Sequence, residues 1–140
     1  MLHGAETAQK QFGLLPDPHA SHHILAADGD GAQAILDLLA ESRGDLMNGR
    51  ITIVYADTAP GASDFALRLC KQDVDRVLVM PTLLAAIGLL SAMIEAARIG
   101  ARIYAAGSET MIGLVIQLAE ARGLDPMSVM AEQRPAASEP

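Results

Sequence analysis

Short apolar runs and longer stretches of helical period alternate along the chain. The runs are His23–Ala27, Ile51–Ala56, Val77–Met80 and Arg102–Ala106, with Ser128–Ala131 as a weaker fifth. Within them apolar and polar positions hardly alternate, as expected of strands buried on both faces. Between them apolar residues recur at helical spacing over Ala32–Ser42, Asp64–Gln72, Thr82–Ile99 and Glu109–Arg122. The punctuation agrees with this division. Asp28-Gly29-Asp30-Gly31 has turn composition, and Pro60 and Gly61 mark a loop over Asp57–Ser63. Val77–Ile94 carries no charge and lies at the lower limit for a membrane span, but Pro81 divides it into a strand and a separate helix. Gly107 ends the fourth strand, Ser108 is a good N-cap, Glu109 places an acid in the first turn, and Gly123 stops the last helix.

Strands alternating with helices predict an α/β fold, a doubly wound parallel sheet of four or five strands covered on both faces. Right-handed crossovers leave few orders open. In the order 3-2-1-4-5 the first and fourth strands are neighbours whose chains leave in opposite directions, and ligands bind beyond their carboxyl ends. The turns at Asp28–Gly31 and Gly107–Thr110 then open together. A strand that runs through Gly107-Ser108 into a helix offers free N–H groups to an anion; the plain alternative is a turn and a cap. The expected organisation is an N-terminal arm over 1–20, one domain over 21–132 and a flexible tail over 133–140.

Composition narrows the picture. The 140 residues suffice for one domain with a real core, and with 51% hydrophobic but only 3% aromatic residues that core must be aliphatic. A net charge of −7 without a basic cluster excludes nucleic acid as a partner. The single cysteine, Cys70, rules out an intrachain disulfide framework and fits the apolar pattern of a helix, so it is expected in the core. His19, His22 and His23 lack the accompanying ligands of a metal site and read as a polar lead-in to the first strand. The start of the chain has no basic stretch followed by an apolar one, so a cytoplasmic location is expected and a membrane is not expected as a partner. The third helix is apolar over more than one face, through Leu83, Leu84, Ile87, Leu89, Leu90, Met93 and Ile94. That pattern predicts a homodimer or an obligate partner subunit, with Leu83, Leu90 and Ile94 as contacts.

At its turns the sequence resembles the pyridine-nucleotide-binding half of the ferredoxin–NADP reductase superfamily, in the branch of flavin reductases and siderophore-interacting ferric reductases. The family has an apolar strand followed by Gly-Gly-Thr-Gly and a helix beginning near a proline. In His23–Leu39 here, Gly29 and Gly31 match two of the glycines, while Asp28, Asp30 and Ala34 replace the first glycine, the threonine and the proline. The siderophore-interacting branch carries an acid near Asp28. Ile51–Pro60 is similar to the family's second strand and loop. Tyr104, Gly107, Met111 and Glu132 match a later pattern of Tyr-x-Cys-Gly-Pro, a methionine-containing helix and a C-terminal glutamate. The family's cysteine corresponds to Ala106 and its proline to Ser108, and no aromatic follows Glu132.

The resemblance implies NAD(P)H binding by Asp28, Gly29, Asp30, Gly31, Asp57, Gly107, Ser108, Glu109 and Met111, with no catalytic or metal-binding residue. NAD is favoured over NADP, because Ala56–Ser63 contains no Arg or Lys for a 2′-phosphate. Asp57 is either an acceptor for a ribose hydroxyl or a cap of the following helix. Asp28 and Asp30 repel a pyrophosphate if they face it, so binding is expected to be weak; they are equally ordinary turn residues. The flavin-holding barrel that precedes this half in the family has no counterpart in these residues, so FAD enters only through a partner, a flavin- or iron–sulfur-containing protein. Two functions follow: a dinucleotide-binding domain or subunit of a flavin-dependent reductase, or a non-catalytic interaction module on the same fold. A free-standing hydrolase or transferase lacks a nucleophile elbow, a P-loop or a triad.

Overall fold

The computed structural model describes residues 14–59, 61–96, 100–125 and 128–134. Nine elements alternate: β1 (His22–Asp28), α1 (Gly31–Leu46), β2 (Arg50–Ala56), α2 (Phe65–Cys70), β3 (Arg76–Met80), α3 (Leu83–Ala96), β4 (Ala101–Gly107), α4 (Glu109–Ala121) and β5 (Val129–Gln133). The five strands form one sheet in the order β3-β2-β1-β4-β5. Every pairing is parallel. The expected doubly wound sheet and the expected adjacency of the first and fourth strands are therefore both present.

The period-two geometry of strands divides the core between the two faces. Leu25, Ala27, Ile53 and Tyr55 pack beneath α1 and α2, while Ile24, Ala26, Val54 and Ala56 pack against α3 and α4. β1 and β4, central in the sheet, are almost entirely buried. α1 kinks at Ser42, where the sequence pattern ends, and continues to Leu46.

Several expectations need correction. Val77–Met80 is not a strand buried on both faces: β3 pairs only with β2, Val79 is exposed, and Val77, Leu78 and Met80 are half-buried. The strand order places it at an edge, beside a helix α2 of only 6 residues. Cys70 ends that short helix and is exposed rather than in the core. Leu90 and Ile94 are only 1% and 4% exposed, buried with Ala86 against the sheet, so they are not contacts for a partner. Leu83 is half-buried, and it is Leu84 that faces outward at 76% exposure. The fifth strand runs two residues past Ala131, so Gln133 belongs to the sheet rather than to a tail. Residues 135–140, the rest of the expected tail, and 1–13 of the expected arm lie outside the described residues.

The described part of the arm is tied to the amino end of the sheet. Arg102 Nε donates to Asp17 Oδ2 at 2.7 Å, Asp17 N–H donates to the Tyr104 hydroxyl at 3.1 Å, and Asn48 Nδ2 donates to the Pro18 carbonyl at 3.2 Å. No helix among the described residues is long and apolar enough to cross a membrane.

Candidate functional site

β1 and β4 run side by side with Ala27 opposite Ala106, and both end in the next residue, at Asp28 and Gly107. The turns that follow meet at the carboxyl end of the sheet. Close approach of backbone to backbone explains two of the glycines there. A Cβ at Gly31 would lie 2.0 Å from the Ala106 carbonyl oxygen, so only glycine lets α1 start against β4. Gly107 has φ +142, and a Cβ there would lie 1.9 Å from Asp28 Oδ1. Gly29 differs. Its φ of +51 serves the turn, and nothing lies within 4 Å of where its Cβ would stand, so a ligand has room to approach the backbone at that point.

Asp28 reaches across from β1 to the start of α4. Ser108 donates twice to its carboxylate, from the backbone N–H to Oδ1 at 2.8 Å and from Oγ to Oδ2 at 2.7 Å. Ser108 Oγ in turn accepts from Met111 N–H at 3.1 Å, the N-cap bond that the sequence pattern predicts. One N–H of the first turn of α4, that of Met111, is thus satisfied by Ser108, and Ser108 in turn is held by Asp28.

On the other side of β1, the Tyr55 hydroxyl donates to the Gly29 carbonyl at 3.1 Å and steadies the first turn. Burial, aided by the negative charge of Asp57, pushes the Tyr55 phenol up to about 12, so it stays a protonated donor at neutral pH. Asp57 follows the end of β2, and its N–H donates to the Met80 carbonyl at 2.8 Å. The N-cap residue of α2 is Asp64, so Asp57 does not cap that helix. At the far side of β4, Arg134 N–H donates to the Gly107 carbonyl at 2.7 Å, while its guanidinium pairs with Glu132 at 2.6 Å. Glu132 stands opposite Ala106 in the β4–β5 register.

The structure brings together Asp28, Gly31, Gly107 and Ser108, with Gly29 and Asp30 beside them on the rim. Asp30 is the N-cap residue of α1 and makes no side-chain cap bond. Glu109 is exposed in the first turn of α4. Met111 is 2% exposed and belongs to the core beneath α4, so it is not a ligand-facing residue. The core needs a large apolar side chain one turn into that helix, and this need accounts for the methionine. Sequence reasoning missed Tyr55 and Arg134. Tyr55 left a signal: a tyrosine in a buried strand must find a partner for its hydroxyl. Among the described residues no group of His, Cys, Asp or Glu side chains could hold a metal ion.

Comparison with known proteins places this geometry. A sequence profile described as "Dimethylamine monooxygenase subunit DmmA-like, N-terminal domain" matches residues 9–129. No curated protein matches the chain by sequence. Among solved structures, full-length CYP116B46 from Tepidiphilus thermophilus is similar over 87% of this chain and 15% of its own, with 25% identity and a TM-score of 0.65. The siderophore-interacting protein SipS from Aeromonas hydrophila is similar over 86% of this chain and 52% of its own, with 15% identity and a TM-score of 0.57. For the ferredoxin–NADP+ reductase of Plasmodium falciparum the values are 91%, 56%, 14% and 0.55. The last two likenesses show the fold alone, an α/β parallel sheet shared with about half of SipS and of the reductase. The chain spans about half the length of SipS and of the reductase, and a much smaller part of CYP116B46.

Proposed function

The chain belongs to the family of dimethylamine monooxygenase subunit DmmA-like N-terminal domains, and from that membership we propose that it is the dinucleotide-binding domain of a monooxygenase-type reductase. The observation that carries this reading is the meeting of the turns Asp28–Gly31 and Gly107–Thr110 at the carboxyl end of the adjacent central strands β1 and β4. The open backbone at Gly29 gives a nucleotide a place to approach, with Tyr55 fixing the carbonyl of that turn. A bound nicotinamide nucleotide supplies a hydride, and a hydride needs an acceptor. That acceptor is a flavin carried by a partner subunit or by a further domain, with an iron–sulfur protein as the next candidate along the path. NAD(H) is favoured over NADP(H), since the loop over 56–63 contains no Arg or Lys. Binding is weak, with a Kd above about 10 μM, because Asp28, Asp30 and Glu109 crowd the same end of the sheet. Titration calorimetry with NADH and NADPH tests the reading: weak NADH binding supports it, and tight NADPH binding contradicts it.

A second reading, a non-catalytic interaction module on the same fold, is favoured by two features. Ala106 stands where the family that the sequence resembles has a cysteine, and Asp28 takes both donors of Ser108, the N-cap residue of α4. A chain that binds neither nucleotide but captures a flavoprotein subunit would support it.

A further inference from the structure

We infer that Asp28 is a resident anion at the amino end of α4, and that it determines which ligands the meeting point of the two turns accepts. The biological meaning of this role rests on the dinucleotide reading. Its geometry does not.

The amino end of a helix carries partial positive charge and unpaired N–H groups, and both attract a phosphate. Here a carboxylate of the same molecule stands beside that end, bonded to the N-cap residue Ser108. The Asp28 carboxylate lies against α4 and receives the N–H and the O–H of Ser108 at 2.8 and 2.7 Å. Gly107 makes the fit possible: the space its missing Cβ leaves is filled by Asp28 Oδ1. The Asp28 backbone is held in register with Ala56 on β2, which fixes where its side chain starts. A phosphate arriving at α4 would find the Ser108 donors used and a like charge in contact distance. A ligand part that reaches this point must instead be uncharged or a donor, such as an amide or a hydroxyl. The phosphates are left to the Gly29 side of the site, where the backbone is open. The glycine at 107 and the acid at 28 thus act as a pair, with the pocket of one filled by the other.

The test uses inorganic pyrophosphate as the probe, by titration calorimetry on the full chain. Asp28→Asn removes the charge and retains an acceptor for Ser108 N–H; Asp28→Ala also vacates the space. Circular dichroism confirms the fold of each variant, and Asp28→Asn serves if Asp28→Ala does not fold. A folded variant should bind pyrophosphate at least about tenfold more tightly than wild type does. Folded variants with the affinity of wild type would overturn the inference. NADH separates the two readings. Wild type that binds NADH, with variants unchanged toward pyrophosphate, sinks the role of Asp28 and leaves the dinucleotide reading. Variants that gain pyrophosphate while neither they nor wild type bind a nicotinamide nucleotide do the reverse.

Discussion

The Tyr104 hydroxyl lies 2.9 Å from Nδ1 of His23, a diagonal contact between β4 and β1 at the amino end of the sheet. Asp17 N–H donates to the same oxygen, so the phenol joins the arm to both strands. His23 is fully buried, and its Nε2 has no hydrogen-bond partner among the described residues. Burial lowers the His23 pKa below the ordinary 6.5; Asp17 opposes this, while His22 and Arg102 add to it. The His22 pKa is lowered too, by burial first and then by Arg50. The unfolded chain therefore takes up protons below pH 6.5 that the folded chain refuses. Stability is complete above that value and falls as the pH drops below it, by at most about 1.4 kcal/mol per pH unit for each histidine. Urea denaturation should show a lower midpoint at pH 5.5 than at pH 7.5, and the gap should narrow in His23→Phe. Equal midpoints for wild type would contradict the burial of a neutral imidazole.

The glycines of the first turn should separate in a stability assay. At Gly31 a methyl group would press on the backbone oxygen of Ala106, which cannot swing aside, so Gly31→Ala should cost about 3 kcal/mol or more. At Gly29 there is room, and only the left-handed conformation resists, so Gly29→Ala should cost about 1 kcal/mol. Denaturant titration of the two variants reads the difference directly. Equal costs would mean that α1 does not start against β4 as closely as described.

The alternation of strands and helices was legible because apolar runs too short for helices are separated by turn residues and stretches of helical period; the observed order was one of the few that right-handed crossovers leave open. What decides an individual residue's role was less legible, because it depends on partners far away in the chain. Asp28 meets Ser108 across 80 positions, and no local pattern shows that an acid at the end of a strand will hold the N-cap residue of a remote helix. The apolar run at Val77–Met80 reads like any central strand, and only the finished order makes it an edge. Met111 fits a family motif and a core position equally well by sequence; its burial decides for the core.

Cys70 provides a simple check on α2. The thiol is exposed at the end of a helix of 6 residues. It should react fully with a disulfide reagent in the native protein, without denaturant, and Cys70→Ser should change stability by no more than about 0.5 kcal/mol. A thiol that reacts only after unfolding would return it to the core and lengthen the helix around it.

α3 decides how far an apolar helix implies a partner. Its inner stripe, Ala86, Leu90 and Ile94, is spaced by four residues and packs on the sheet. Leu90→Ala should therefore cost about 2–5 kcal/mol in any oligomeric state, and Leu90→Asp should unfold the chain. Leu84, at 76% exposure, buries little in the monomer, so Leu84→Asp should stay within about 0.5 kcal/mol of wild type. If a second copy or a partner subunit covers this helix, the contact runs through Leu84 and not through the stripe. Sedimentation at several concentrations distinguishes the cases. An associating wild type should become monomeric in Leu84→Asp while remaining folded, and an association that survives that substitution would place the interface elsewhere.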